Sequence, residues 1–284
     1  MPLPWLVAAP LEEFRGKFLV PDALPDRLSY REPLRRRLRV RFAGEWIADS
    51  EHVVLLHTPG RFPVAYFPAS DVRVEVLEFR QRTTLHPDLG KTAWFAVRVG
   101  DRVHEGAAWQ HVRPPAHAAE FANLVAFSWR AMDGFQEEDE PIIAHAADPY
   151  HRVDVRNASR EVLVEVDGRV VAKSRRSRVL YESDREPQWY LPRADVDETA
   201  LSEETLRTRC PYKGVATYYA IGGQSGAAWS YADPPGESAG IAGFVAFDAN
   251  KLGVYVDGRR LHHTLGRRGA RTGLDRAFAS GRRG

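Results

Sequence analysis

The sequence predicts a mainly β protein with two tandem copies of one small domain, each copy containing one short helix. Three observations support this fold class. Many residues recur in one order along the 284-residue chain, the recurring segments alternate apolar and polar residues, and Gly, Pro and Asp residues separate them. The composition, with 44% apolar and 27% charged residues, is that of an ordinary globular protein. Such a chain has room for two domains of about 100 to 150 residues each.

The repeat is clearest where "VRFAGEWIADS" (40–50) matches "VEVDGRVVAKS" (164–174), 124 residues further on. The "GAAW" segments that end at Trp109 and Trp229 are instead 120 residues apart, so four residues are missing from the second copy. This gap falls between two alternating segments around a glycine turn, which predicts a shortened hairpin. The 124-residue offset also relates the pairs Pro63/Pro187, Tyr66/Tyr190, Pro68/Pro192, Asp71/Asp195, Thr84/Thr208 and Gly90/Gly214.

Each copy opens with a predicted hairpin. In the second copy Val162, Val164 and Val166 share one face, and Asp167-Gly168 predicts a tight type I′ turn. Ala43-Gly44 stands at the same place in the first copy. Further short strands are predicted in "VAYFP", "VRVEVLEF" and "VATYYAI". The stretches "AHAAEFANLVAF" and "GESAGIAGFVAF" fit either a helix of two turns or a helix that leads into a strand.

These patterns divide the chain into four parts. We expect an N-terminal extension (1–26), a first domain (27–147), a second domain (148–260) and a basic tail (261–284). The acidic cluster that ends at Pro141 and the Asp148-Pro149 turn place the boundary near Asp148. The tail is rich in Gly and Arg with few residues to bury, so we expect it to be disordered.

Composition also narrows the class of function. The net charge of +2 gives no overall field for nucleic acid, so a nucleic-acid partner is not expected. The chain has one cysteine, which excludes an internal disulfide and a four-thiolate zinc site and fits a reducing, cytoplasmic compartment. No stretch approaches the roughly 20 apolar residues that span a bilayer, so no membrane partner is expected. Phosphate-binding glycine loops and metal-ligand spacings are missing, so the sequence predicts no cofactor and no metal.

The segments "VEVDGRVVAKS", "WYLPRADV", "TRCPYKGVATYY", "AAWSY" and "IAGFVAF" together resemble a bacterial family of unknown function, DUF427. The resemblance covers the second copy from about His151 to Tyr255. It is weaker in the first copy, from about Arg27 to Glu140, where "LHPDLG" replaces "RCPYKG".

The resemblance implies a small β fold of the tent kind, similar in outline to domains of other families that hold zinc between cysteines. Those cysteines are absent here, so zinc is not implied. One profile name for the family suggests nucleotidyltransferase activity. Such enzymes place a Gly-Ser turn before an Asp-x-Asp pair, and no such turn precedes Asp195-Val196-Asp197 at useful spacing.

Positions that differ between the copies are candidates for a site, because shared positions reflect what the fold itself needs. The second copy is therefore predicted to hold a polar and aromatic pocket whose candidate catalytic residues are Cys210, Lys213 and Glu182. Ligand contacts are expected from Tyr212 and Tyr231, and also from Tyr190, Trp229 and Asp195, which are shared with the first copy. The first copy differs at His86/Cys210, Asp88/Tyr212, Leu89/Lys213, Thr58/Glu182 and His111/Tyr231.

The role of this pocket stays open. Lys213 would stabilise a Cys210 thiolate, and Glu182 would serve as an acid or base or pair with Lys213. Alternatively, Pro211 and Gly214 shape a turn in which Cys210 is only a small packed side chain. We favour a small-molecule binding protein, because the candidate site residues are concentrated in one of the two copies. The alternatives are an enzyme that uses Cys210 as nucleophile or Glu182 and Lys213 for proton transfer, and a scaffold whose first copy and basic tail bind a protein or nucleic acid.

Overall fold

A computed structural model describes residues 29–58, 62–143, 146, 148–183 and 185–262 of the chain. Contacts between Cα atoms divide the described residues into two compact units, which separate between Tyr150 and His151. The predicted N-terminal extension and nearly all of the predicted basic tail lie outside the described residues. None of the described helices has the length and apolar character needed to cross a membrane.

The first unit contains one seven-stranded and one four-stranded antiparallel sheet. The strand order is β1-β4-β5-β9-β8-β7-β6 in the large sheet and β11-β10-β2-β3 in the small sheet. The strands are β1 (Tyr30–Pro33), β2 (Leu38–Phe42), β3 (Glu45–Ser50), β4 (Val54–His57), β5 (Val64–Pro68), β6 (Leu77–His86), β7 (Gly90–Val99), β8 (Arg102–Arg113), β9 (Leu124–Phe127), β10 (Gly134–Glu137) and β11 (Glu140–Ile142).

The second unit repeats this topology strand by strand. Its large sheet has the order β12-β15-β16-β20-β19-β18-β17 and its small sheet β14-β13-β21-β22, so adding eleven to each number of the first unit gives the second. The predicted duplication and mainly β class are therefore confirmed. The strands are β12 (Val153–Ala158), β13 (Val162–Val166), β14 (Arg169–Ser174), β15 (Ser177–Glu182), β16 (Gln188–Leu191), β17 (Ser202–Cys210), β18 (Gly214–Ile221), β19 (Gln224–Tyr231), β20 (Val245–Phe247), β21 (Gly253–Val256) and β22 (Arg259–Arg260).

The opening hairpins have the predicted turns. Both residues of Asp167-Gly168 have positive φ, at 50° and 78°, and Ala43-Gly44 has 50° and 82°. Positive φ at both central positions is what a type I′ turn requires, and its twist matches that of the paired strands.

The missing four residues lie in the hairpin that joins β18 and β19. In both units a two-residue turn closes this hairpin, at Gly100-Asp101 and at Gly222-Gly223. From the shared glycine to the turn, β7 has ten residues and β18 has eight. Between the turn and the shared tryptophan, the first unit has seven residues (102–108) and the second has five (224–228), so each side of the second hairpin is two residues shorter. Because side chains alternate with a period of two, this change leaves the remaining side chains on their original faces.

The two ambiguous stretches are each a short 3-10 helix that leads into a strand. Ala116–Asn123 precedes β9, and Gly236–Ile241 precedes β20. Further single 3-10 turns, which the sequence reading missed, lie at Ala69–Asp71, Val74–Val76, Trp129–Ala131, Arg193–Asp195 and Glu198–Ala200. Each has three residues, too few for an apolar period to appear in the sequence.

Each unit has two separate apolar clusters. In the second unit the main core joins the two sheets, with Val164 of the small sheet and Ile221 of the large sheet both buried. A smaller cluster covers the opposite face of the large sheet, which we call the outer face, where Ile241 of the 3-10 helix packs on Leu180 and Tyr190. The first unit has an equivalent outer cluster around Tyr66 and Phe121. The outer face of the second unit carries most of the predicted site residues.

Candidate functional site

A row of aromatic residues crosses the outer face of the second unit. Strand register pairs Tyr218 with Trp229, Trp229 with Ala246, and Ala246 with Tyr190. The small alanine leaves space between the two larger side chains, and Trp229 Nε1 donates to the Tyr190 hydroxyl at 3.3 Å. Two predicted ligand residues, Tyr190 and Trp229, are therefore in direct contact.

The first unit has the same row. Trp94, Trp109, Ala126 and Tyr66 occupy the equivalent paired positions. Trp109 Nε1 also donates to the Tyr66 hydroxyl at 3.3 Å. The aromatic row is thus a property that both copies share and does not by itself distinguish a site.

A cluster of charged side chains distinguishes the second unit. The ammonium of Lys213 bonds to Glu182 Oε2, and His151 Nε2 donates to Glu182 Oε1 at 3.1 Å. Arg185 Nε lies 3.5 Å from the same carboxylate. The Glu182 and Lys213 side chains are only 6% and 11% exposed, so this is a buried ion pair.

The environment fixes the charge of Glu182. Burial alone would raise its pKa, but the hydrogen bond from His151 and the positive charges of Lys213 and Arg185 outweigh burial and lower the pKa to about 2. Glu182 is therefore an anion at neutral pH. A carboxylate with so low a pKa is a poor general base.

The turn "CPYKG" directs the Lys213 side chain towards the Glu182 carboxylate. Cys210 and Gly214 face each other at the end of the β17–β18 hairpin, and the Lys213 N–H bonds the Cys210 carbonyl at 3.4 Å. Gly214 has a φ of +83°, and an added Cβ would lie 3.0 Å from the Asp233 carbonyl oxygen. Only glycine fits this close approach without strain. The buried Ser238 hydroxyl also donates to the Tyr212 carbonyl at 2.7 Å.

His151 and Tyr212 cover the ion pair. Their rings stack with centroids 4.0 Å apart and an interplanar angle of 22°. Sequence reasoning placed His151 only at the domain boundary and gave it no role. The signal that would have found it is strand pairing, because Val153 of β12 lies opposite Glu182 of β15 and brings the residues just before β12 to the carboxylate.

Cys210 lies half-buried at the edge of this group. Burial raises the pKa of both Tyr190 and Tyr231, and the negative charges of Glu182 and of an ionised Cys210 act in the same direction. Both phenols therefore remain protonated at neutral pH. The structure brings together seven of the eight predicted residues: Glu182, Cys210, Lys213, Tyr190, Tyr212, Trp229 and Tyr231.

Asp195 is the eighth predicted residue and belongs to a different contact set. Its carboxylate accepts from Ser174 Oγ at 2.7 Å and from Arg176 at 2.6 and 3.0 Å. Asp71 accepts from Ser50 Oγ in the same way in the first unit, at 2.6 Å. This serine–aspartate bridge ties the end of β14 to the 3-10 turn Arg193–Asp195, and in the first unit it ties the end of β3 to Ala69–Asp71. Its presence in both copies indicates a structural role for Asp195.

Metal ligation finds no support among the residues that the structure describes, which contain no group of three or more His, Cys, Asp or Glu suited to a metal ion. The second carboxylate of the Asp195-Val196-Asp197 segment accepts from the Thr199 N–H at 3.0 Å and pairs with Arg169. Both carboxylates of that segment are thus engaged by the protein.

At the positions of Lys213 and Tyr231, the outer face of the first unit has neutral side chains. Leu89, at the position of Lys213, is buried in the outer apolar cluster. His111, at the position of Tyr231, lies 2.9 Å from both the Tyr66 hydroxyl and the Thr92 hydroxyl. Burial, with a smaller effect of the His86 charge, lowers the pKa of His111 to about 4, so its ring is neutral at pH 7.

The fold and the site thus define a duplicated β-domain protein whose copies differ on the outer face, where the second copy has the Lys213–Glu182 ion pair and the first has Leu89 and Thr58 at the same positions. Comparison with family models identifies the family. The model described as domain of unknown function DUF427 matches residues 31–138 and 154–258, and the chain belongs to this family as a tandem member. A comparison with curated proteins finds no match.

Proposed function

We propose that the second unit binds a small flat molecule with a polar edge at the outer face, beside the His151–Glu182–Lys213 cluster. One observation carries this proposal. The first unit has the same strand topology with Leu89 in place of Lys213 and Thr58 in place of Glu182, so the fold forms without the ion pair. Burying two charges costs desolvation energy, and a buried pair is often replaceable by apolar residues without loss of stability. The cluster is therefore better explained by recognition than by folding.

The surroundings suit a planar ligand. Tyr218, Trp229, Tyr212 and Cys210 are only partly buried, and they border the fully buried Tyr190. Aromatic faces stack on flat rings, while the cluster beneath offers an ammonium, a guanidinium and an imidazole around one carboxylate. Three basic groups around one acid favour a ligand whose polar edge accepts hydrogen bonds or carries negative charge.

Binding fits the geometry better than acid–base catalysis by Glu182. A pKa of about 2 leaves Glu182 with little affinity for a proton at neutral pH. The Lys213 ammonium is directed at Glu182 and is compensated there. Covalent chemistry at Cys210 is the second candidate, because its partly exposed side chain lies at the border of the site.

The experiment is ligand-observed NMR on the full chain with a set of planar fragments, both neutral heteroaromatics and aromatic carboxylates. We expect binders that are lost in E182T/K213L, which installs the residues of the first unit. The matched control is E186T/K173L, which makes the same change at exposed positions of the second unit and should leave binding intact. Fragments that bind both variants equally well would refute the proposed site.

The single cysteine gives an independent readout of position. A fragment bound at the outer face should slow alkylation of Cys210 by iodoacetamide, because the thiol lies at the border of the site. An alkylation rate that is high and independent of every binding fragment would instead favour the nucleophile interpretation.

A further inference from the structure

A chain of hydrogen bonds crosses the outer face of the first unit. Trp109 Nε1 donates to the Tyr66 hydroxyl, which lies 2.9 Å from His111 Nε2. The other ring nitrogen of His111, Nδ1, lies 2.9 Å from the Thr92 hydroxyl. A neutral imidazole has one donor and one acceptor nitrogen, so both nitrogens of this buried histidine are satisfied within the protein.

The second unit keeps only one end of this chain. The Tyr190 hydroxyl still accepts from Trp229 Nε1. Strand register, however, places Tyr231 and Ala216 where the first unit has its imidazole and the hydroxyl beyond it. The alanine side chain has no polar atom, so the second unit has neither the acceptor nitrogen nor its hydroxyl partner.

Two phenol hydroxyls consequently remain as donors. Among the residues that the structure describes, the Tyr231 hydroxyl has no hydrogen-bond partner, and the Tyr190 hydroxyl has only the donor of Trp229. Tyr231 is 6% exposed and Tyr190 is 1% exposed, so Tyr231 lies nearer to solvent. Buried polar groups nearly always have a partner, and the unpaired hydroxyl of Tyr231 therefore points to an acceptor from outside the chain.

The charge near these phenols favours a neutral acceptor. Burial raises the pKa of Tyr190 and of Tyr231, and the negative charge of Glu182 raises both further. Both hydroxyls therefore keep their protons at neutral pH and can donate. Glu182 would repel an anion placed beside them, whereas a neutral carbonyl oxygen accepts a hydrogen bond without this repulsion.

The neighbouring side chains suit a flat ring. Trp229 precedes Tyr231 by two residues on β19, so the two side chains lie on the same face of the sheet. Trp229 is only partly buried at the edge of the outer apolar cluster. A ring that packs on Trp229 would place a polar substituent next to Tyr231.

We propose that the ligand of the outer face carries a neutral carbonyl group on a flat ring, and that the carbonyl oxygen accepts from the Tyr231 hydroxyl. Tyr231, the more exposed of the two phenols, makes the direct contact and sets the preference for a neutral carbonyl over a carboxylate. This inference rests on the function proposed above for the second unit and names the class of its ligand.

The test compares two probes of similar size and shape, acetophenone and benzoate, by ligand-observed NMR on the full chain at pH 7. We expect acetophenone to bind at least about fivefold more tightly than benzoate. Y231F removes only the hydroxyl and should weaken acetophenone binding about fivefold. Its melting temperature should not fall, because the hydroxyl has no bond to lose. The matched control Y181F removes a hydroxyl at an exposed position of the same sheet and should bind acetophenone like wild type.

Three results would overturn this inference. They are equal acetophenone affinity in wild type and Y231F, tighter binding of benzoate than of acetophenone, and a melting temperature of Y231F more than about 3 °C below wild type, which would show that the hydroxyl is already bonded in the folded protein. If planar fragments still bound wild type but not E182T/K213L, the function proposed above would stand. If no planar fragment bound at all, both would fail.

Discussion

The ammonium of Lys213 bonds to the carboxylate of Glu182 on the outer face of the second unit, where the first unit has Leu89 and Thr58. The two copies can therefore be compared within one chain, since the same topology has a buried ion pair at these two positions in the second unit and Leu89 and Thr58 there in the first. Differences between the copies separate what the fold needs from what a site needs.

The ion pair should behave non-additively when it is removed. K213L leaves Glu182 buried without its main counter-charge, and breaking a buried pair in this way costs about 3–5 kcal/mol. His151 and Arg185 remain near Glu182, so we expect the lower end of that range. E182T/K213L should be more stable than K213L, because the unpaired charge is gone. Urea unfolding of both single variants and the double variant measures this, and simple additivity would show that the pair is not coupled.

Acid should destabilise the second unit through Glu182. Its pKa is about 2 in the folded chain against an ordinary value of 4.5, so the folded state binds fewer protons than the unfolded state between these values. The stabilisation is fully present above pH 4.5 and is lost as pH falls towards 2. It amounts to about 3 kcal/mol. Hydrogen exchange of second-unit peptides across this range measures the loss, which E182T/K213L should reduce.

The first unit should lose stability at a higher pH, through His111. Its pKa is about 4 in the folded chain against 6.5 ordinarily, so its contribution is present above pH 6.5 and is lost as pH falls towards 4. H111Y installs the residue of the second unit and should flatten this dependence in first-unit peptides. If H111Y leaves the pH profile unchanged, another group is responsible for it.

Ser177 offers a stabilising change. Its hydroxyl is buried and has no hydrogen-bond partner among the residues that the structure describes, and the equivalent residue of the first unit, Val53, is fully buried. An unpaired buried hydroxyl costs about 1–3 kcal/mol, so S177V should raise the melting temperature. S177A removes the hydroxyl without filling its volume and should stabilise less. A lower melting temperature for S177V would indicate that the hydroxyl is bound in the folded protein.

Gly214 should be essential for the placement of Lys213. G214A forces a side chain into positive φ and brings Cβ to 3.0 Å from the Asp233 carbonyl oxygen. We expect a loss of at least about 1 kcal/mol and altered NMR signals at His151 and Glu182. G236A, where an added Cβ meets no atom within 4 Å, is the control and should change neither.

The fold was largely predictable because the chain contains two copies of one domain, and comparing them shows which residues recur. The recurring residues, the Asp167-Gly168 turn and the shortened hairpin each depend on local sequence, and each is present in the structure. The pairing of Glu182 with Lys213 was one of two roles foreseen for that glutamate. His151 was missed because it reaches the site only through the pairing of β12 with β15, which no local pattern reveals.

Asp195 shows a second limit of sequence reasoning, because a residue predicted as a ligand contact forms a structural bridge instead. It recurs in both copies beside a serine, and recurrence alone does not distinguish a ligand contact from a structural bridge. The cavity of about 440 Å³ that His86 and Arg113 line in the first unit was also unforeseen, because its residues come from a turn and from a segment after a different strand. Residues separated in sequence and without a shared period give no signal before the fold is known.

The shortened hairpin has a consequence for the family as a whole. Two residues are missing from each strand, so the change amounts to one pleat repeat on both sides of the turn. Lengthening or trimming the hairpin in steps of four keeps every side chain on its face. A step of two removes a single cross-strand pair, which places a non-hydrogen-bonded pair beside the turn where a hydrogen-bonded pair stood. The length of this hairpin should therefore vary in multiples of four residues, and both natural relatives and engineered insertions should tolerate such changes.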